Sequence, residues 1–208
     1  RPLCLGKTEN GYVLSSESCA LDAIKAEFIR HIDPGEMVII DDSGVRSVIY
    51  AEPEKIDKKL CVFEYIYFAR GDSHIDGQSV YQSRLNMGRE LYNETKYDAD
   101  IVMSIPDSGT TAALGYARAS GIPFAEGLVK NRYSGRTFIK PNQEERELAV
   151  RMKLNALPHI VGGKRIVLID DSIVRGTTSG IIVKMLKEAG AKEVYMCVSS
   201  PTIEYSCH

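Results

Sequence analysis

The sequence predicts an α/β fold with a central parallel sheet, and three stretches carry that prediction. Ile166 to Ile169 is an unbroken apolar run that stops at two adjacent carboxylates, Asp170 and Asp171; such a run is the pattern of a strand buried on both faces. A hydroxyl-rich turn ending in Gly176, Thr177 and Thr178 follows. Ile182, Met185, Leu186 and Ala189 then fall at helical spacing, with Gly190 as the C-terminal cap. Asp100 to Ile105 repeats the plan, running into a Pro106-Asp-Ser-Gly109 loop and a helix from Thr110 to Ser120 closed by Gly121 and Pro123. Glu193 to Val198 reads as the last strand. Strand, loop and helix in that order set the loops at the carboxyl end of a parallel sheet, where open α/β folds take ligands. Asp107, Ser108 and Gly109 should therefore lie at the same edge as Asp170.

Composition excludes several classes. At 208 residues, one full domain plus a partial one is expected. A net charge of −2 gives no electrostatic case for nucleic acid or an anionic membrane. No apolar run approaches a membrane span, and the N-terminus has no signal-peptide pattern. Five cysteines, at 4, 19, 61, 197 and 207, are too sparse and too odd in number for a disulfide scaffold. A cytoplasmic protein with reduced or metal-bound thiols is the expectation.

In chain order, residues 1–50 read differently from the remainder. Tyr12 to Leu14 is a short strand, and Glu17 to Ala20 a turn. Leu21, Ile24, Phe28 and Ile32 trace the face of a short helix that ends before Pro34-Gly35. Met37–Ile40 and Val45–Tyr50 form two strands about an Asp41-Asp-Ser-Gly44 hairpin turn, an acidic pair read as structural because no helix follows it. So few elements bury little surface, which suggests the tail of a larger layered domain. Residues 51–60, charged and containing Pro53, fit a linker. Cys61 to Ala69 is rich in aromatic and β-branched residues and predicts a strand, with a turn at Arg70-Gly-Asp-Ser73. Val80, Arg84, Met87 and Leu91 share a helical face, from which Arg84 and Arg89 are in reach of a polyanion or simply solvated. Phe124 to Leu128 is a further strand. From Val129 to Lys140 the chain is basic and interrupted by glycine, and Arg146, Arg151 and Lys153 follow. That stretch is too polar for a core and too long for an ordinary connection, which favours a lid, with a solvated charged loop as the alternative.

The turn after Asp171 has a chemistry of its own. Backbone N–H groups and a helix N-terminus favour a phosphate, Gly176 permits backbone geometry that other residues resist, and Ser172, Thr177 and Thr178 add hydroxyls. Two carboxylates cannot face that phosphate. They suit sugar hydroxyls or a hydrated Mg²⁺.

The wording Val167-Leu-Ile-Asp-Asp-Ser-Ile-Val-Arg-Gly-Thr-Thr-Ser179 resembles the phosphoribosyl diphosphate (PRPP) signature of type I phosphoribosyltransferases, in the form used by the glutamine PRPP amidotransferase family. Lys130-Asn-Arg-Tyr133 and Gly135-Arg-Thr-Phe-Ile139 resemble the same family's catalytic loop. The resemblance is strong from Cys61 to the end and weaker over residues 1–50. It implies a type I phosphoribosyltransferase fold over 61–208, C-terminally incomplete and preceded by a partial αβ-layered, Ntn-hydrolase-like glutaminase domain over 1–50. No glutaminase nucleophile is carried over, since Arg1 stands at the start and neither Cys4 nor Cys19 has the required context. The family usually has proline at the position of Gly71, which implies a looser turn here.

The implied reaction is displacement of Mg-pyrophosphate from C1 of PRPP by ammonia, derived from glutamine in the full enzyme, to give 5-phosphoribosylamine in purine synthesis. The implied PRPP contacts are Asp170, Asp171, Ser172, Ile173, Val174, Arg175, Gly176, Thr177 and Thr178, together with Asp107, Ser108 and Gly109. Ser108, Asp170 and Asp171 would face Mg²⁺, and Lys130, Arg132, Arg136 and Lys153 would be the catalytic cations. In one branch of the family a [4Fe–4S] cluster is held by four cysteines; Cys61 and Cys207 match two of them, with two buried structural thiols as the alternative. Cys4, Cys19 and Cys197 read as structural. Purine nucleotides as feedback ligands and a homo-oligomeric full-length enzyme are also implied. The rivals are a salvage-type phosphoribosyltransferase, a PRPP-binding regulator and a noncatalytic fragment.

Overall fold

The computed structural model describes residues 2–133, 143–173 and 176–201. They form two compact units, Arg1–Ser83 and Arg84–His208.

In the first unit, β1 (Cys4–Thr8) pairs antiparallel with β2 (Gly11–Ser15) and β3 (Glu27–His31). Helix α1 (Ser18–Ala23) seals this sheet with Leu21, which is fully buried beside Cys4 and Ala26. Gly6 makes the contact: a Cβ there would lie 2.9 Å from Leu21 Cδ2. Two expectations change here. The segment 17–20 enters a helix rather than a turn, and the helical face expected from Leu21 to Ile32 breaks after Ala23. Lys25 takes a positive φ of 56°, the chain reverses, and Phe28 is in a strand opposite Gly6. The hairpin of β4 (Glu36–Asp41) and β5 (Gly44–Ile49) is as expected. Glu36 accepts from Arg30 and Ser47, which lowers its carboxyl to about 2.

The strand expected over Cys61–Ala69 is instead a helical turn of π type, Glu64–Phe68. The Ala69 N–H donates to Glu64 O at 3.0 Å, Glu64 and Ile66 are buried, and Tyr65 Oη donates to Ile75 O at 2.8 Å. Local burial and hydrogen bonding outweigh β-propensity, which is a weak and context-dependent preference. The turn at residues 70–73 is closed by the Ser73 N–H on Arg70 O at 3.0 Å, despite Gly71. A two-residue ladder of β6 (His74–Ile75) and β7 (Gln78–Ser79) leads into α2 (Val80–Glu94).

The second unit is the expected parallel sheet, in the order β12 (Glu193–Val198), β11 (Arg165–Asp170), β8 (Ile101–Ser104). Ile166, Val167, Leu168 and Ile169 are all fully buried, each side chain contributing about 1.5–3 kcal/mol. Ile166 and Leu168 pack with Ile182, Met185 and Leu186 of α6 (Thr177–Glu188). Val167 and Ile169 pack with Ala112, Ala113 and Tyr116 of α3 (Thr110–Ser120). Helices on both faces are why the β11 run is continuous rather than alternating. Helices α2 and α3 touch backbone to backbone, since a Cβ on Gly115 would lie 2.1 Å from Leu85 O.

The strand expected at Phe124–Leu128 is reduced to a single parallel bridge between Phe124 and Val102. Regular pairing resumes as β9 (Leu128–Lys130), antiparallel to β10 (Leu154–Ala156). Between these two strands is α4 (Gln143–Lys153); α5 (Pro158–Val161) precedes β11. At the amino edge of the sheet, Arg165 pairs with Asp98 and Asp100. No helix among the described residues is long and apolar enough to cross a membrane.

Candidate functional site

The parallel register aligns Ile169 with Ser104 and Asp170 with Val198, so the loops after β8, β11 and β12 leave the sheet at one edge. Their backbones are joined there. The Ile105 N–H donates to Ile169 O at 2.9 Å, and the Ser199 N–H to Asp170 O at 3.1 Å. Gly109 explains how the first two loops come so close. A Cβ at this position would lie 2.4 Å from Ile169 O and 2.9 Å from Asp170 Cα. The sequence marked Gly109 as a loop residue without this reason.

Ser108 Oγ donates to Asp170 Oδ1 at 3.4 Å, so the structure brings the two predicted loops together through side chains as well. Asp170 Oδ1 also accepts the Asp171 N–H at 2.9 Å, and Asp171 Oδ2 accepts Ser172 Oγ at 2.7 Å. Asp171 is buried and Asp170 half-buried. Burial, then the neighbouring Asp171, push the Asp170 carboxyl up to about 7, against the Asp171 N–H and Ser108 Oγ, which pull it down. A partly buried acid pair with this property has a deficit of positive charge or donors.

Beyond Ser172 and the exposed Ile173, the chain reaches Gly176 with φ 68°, in the left-handed region that favours glycine. Among the described residues no atom lies within 4 Å of where a Gly176 Cβ would be, so the backbone shape favours glycine there and crowding does not. Gly176 is the N-cap of α6 and makes no side-chain cap bond, and the first turn contains no acid. Among the described residues no side chain caps the leading N–H groups of α6, the kind of helix start that suits an anion, at a helix that Thr177 opens and on which Thr178 is exposed.

Of the predicted cations, Lys130 ends β9 and is ion-paired with Asp107. Lys153 ends α4, and its carbonyl accepts the Asn131 N–H at 2.8 Å. Since Leu154 pairs with Lys130 across the ladder, Lys130 at the end of β9 and Lys153 just before β10 stand at the same end of it. Arg132 is exposed in the turn that follows. Arg136, Val174, Arg175 and Cys207 lie outside the described residues, as does most of the expected lid. Arg89 is paired with Glu90 on the helix surface.

Two residues at this edge carry no sequence signal of their own. Ser104 Oγ lies 3.1 Å from Thr110 Oγ1 and tethers β8 to the start of α3; Ser199 holds the end of β12 to Asp170. A parallel register was the available signal for both, because residues following aligned strands share an edge.

A family model for the phosphoribosyl transferase domain matches residues 86–201, more than half of the chain. The chain belongs to this family. It is 55% identical over its whole length to an amidophosphoribosyltransferase of Archaeoglobus fulgidus, and 52% identical to that of Bacillus subtilis. It spans 45% and 43% of those relatives' lengths. Among solved structures it resembles the glutamine PRPP amidotransferase of B. subtilis complexed with ADP and GMP. There the TM-score is 0.91 with 52% identity, over 100% of this chain and 45% of that one. The expected type I phosphoribosyltransferase fold is thereby established.

Among the described residues no group of three or more His, Cys, Asp or Glu side chains is placed to hold an ion. Mg²⁺ asks for less, since it is usually bound by one or two carboxylates plus substrate phosphates. Asp170, Asp171 and Ser108 fit that use, since Ser108 Oγ already bonds Asp170 and the two carboxylates adjoin. A four-iron cluster asks for four thiolates, of which the described residues offer Cys61. Cys61 is exposed, so the buried structural alternative does not hold for it, whereas Cys4, Cys19 and Cys197 are buried and free, as expected.

Proposed function

We propose that this chain contributes the phosphoribosyl-transfer half of an amidophosphoribosyltransferase, residues 61–208, behind a glutaminase remnant over 1–50 and a linker over 51–60. The observation that carries the reading is the junction at the sheet edge. Gly109 lies against Ile169 and Asp170, Ser108 reaches Asp170, and Gly176, the N-cap of α6, comes five residues after Asp171 in the chain.

In this reading the α6 N-terminus and the Ser172–Thr178 backbone bind the 5-phosphate of PRPP through amide hydrogens. Asp170 and Asp171 accept from the ribose hydroxyls and orient C1 toward incoming ammonia. As the bond to the diphosphate lengthens, positive charge grows on the ribose ring and negative charge on the leaving oxygens. The acid pair stabilises the first. Ser108, the loop amides, Lys130, Arg132, Arg136 and Lys153 stabilise the second. Mg²⁺, when bound, neutralises diphosphate charge. The ammonia nitrogen forms its bond to C1, the diphosphate leaves with the bonding pair, and the surplus proton on nitrogen goes to solvent. No nucleophilic side chain is required.

In the longer protein we propose ammonia from glutamine, purine nucleotides as ligands, and a cytoplasmic setting; the ADP and GMP bound to the B. subtilis protein support the nucleotides, and the free cysteines support the compartment. No step is assigned to an iron–sulfur cluster. Incubation with PRPP, Mg²⁺ and ammonium should release pyrophosphate. Release only when a free base or orotate replaces ammonium would favour a salvage or pyrimidine enzyme, and binding without release would favour a regulator; either result refutes the assignment.

A further inference from the structure

Asp107 puts a negative charge in a loop read as meeting a diphosphate, where like charges repel. Its carboxylate is paired with Lys130 Nζ, and the two side chains remain 77% and 34% accessible, respectively. The pair bridges two separately anchored elements. Asp107 belongs to the 106–109 loop, locked onto β11 through Gly109 and followed by Ser108 on Asp170. Lys130 belongs to β9, held by β10 through the Lys130–Leu154 register and by α4 through the Asn131 N–H on Lys153 O. An exposed ion pair contributes little to stability, so its effect is positional. It confines an ammonium on a flexible four-carbon stem beside the loop that leads to the acid pair.

We propose that Asp107 is a positioning residue for Lys130 and does not itself meet the ligand: it holds the ammonium ready for the anionic end of a diphosphate-bearing molecule. This rests on the PRPP reading of the site and deepens it. Two physical effects then oppose each other at Asp107. Removing its charge relieves repulsion and by itself tightens polyanion binding. Removing it also frees Lys130, whose ordering must then be supplied during binding, and this weakens affinity. Positioning wins in the intact protein. Without the lysine only repulsion is left, so the effect of removing Asp107 should change sign.

The test is a double-mutant cycle read by calorimetric titration of inorganic pyrophosphate with Mg²⁺, at one fixed low ionic strength. Asp107→Asn should weaken binding about fivefold and Lys130→Met about tenfold, whereas Asp107→Asn added to Lys130→Met should tighten it about twofold. Asp107→Glu should keep most of the affinity. Tighter binding by Asp107→Asn alone, or a change in the same direction in both backgrounds, overturns the proposal and leaves the PRPP reading standing. Wild-type protein that binds neither pyrophosphate nor PRPP overturns both.

Discussion

Replacing Asp170 by Asn should stabilise the ligand-free protein above neutral pH while destroying its site. In the folded chain burial and Asp171 hold the Asp170 carboxyl up at about 7, against about 4 in an unfolded chain. Between those values the native state carries a proton that the unfolded state has released, so stability falls as pH rises. This contribution is whole below about pH 4 and is lost as pH passes about 7. Three units at ~1.4 kcal/mol each set a ceiling of about 4 kcal/mol. Half-burial screens part of it, leaving ~2 kcal/mol. An asparagine keeps an acceptor for Ser108 and the Asp171 N–H but never ionises. At about pH 8 the variant should therefore melt roughly 4–8 °C above wild type, and at about pH 4 the difference should vanish. Thermal melts without Mg²⁺ or PRPP at the two pH values decide it. An equal offset at both, or a variant that melts lower at the higher pH, refutes the reasoning.

The two site glycines should separate cleanly. Gly109→Ala drives a methyl into the Ile169 carbonyl, 2.4 Å away, and should cost about 2 kcal/mol or more and abolish PRPP binding, read by melting and calorimetry. Gly176→Ala meets no neighbour and pays only for its left-handed backbone, about 1 kcal/mol, so the fold persists and loss of phosphate affinity should exceed loss of stability. Asp100 is lowered to about 2 by its bonds from Arg165, giving stability that is present above about pH 4 and lost as pH falls through about 2; Asp100→Asn should flatten the acid limb of a stability profile.

What was legible in the sequence was local. The Ile166–Ile169 run, its acid pair and the glycine before α6 each state their own conformation, because burial on two faces and a positive φ restrict residue choice within a few positions. The two strand–loop–helix repeats gave the shared sheet edge by topology. Contacts across distant segments were not legible. Nothing near Gly109 announces that Ile169 will lie against it, and the β9–β10 ladder joins residues with a whole helix between them. Where periodicity misled, tertiary context overrode it. Phe28 fitted a helical stripe yet pairs in β3, and the aromatic run at 61–69 folds into a turn in which Ile66 is buried and Tyr65 bonds the Ile75 carbonyl.

The central claim is that the acid pair and the start of α6 together grasp a phosphorylated sugar diphosphate. Calorimetric titration of the intact chain with PRPP and Mg²⁺ tests it most directly. Saturable heat for wild type, lost when Asp170 and Asp171 are both changed to Asn in a protein that still melts cooperatively, is the expected result. No heat from wild type, or the same heat from the double variant, would contradict it.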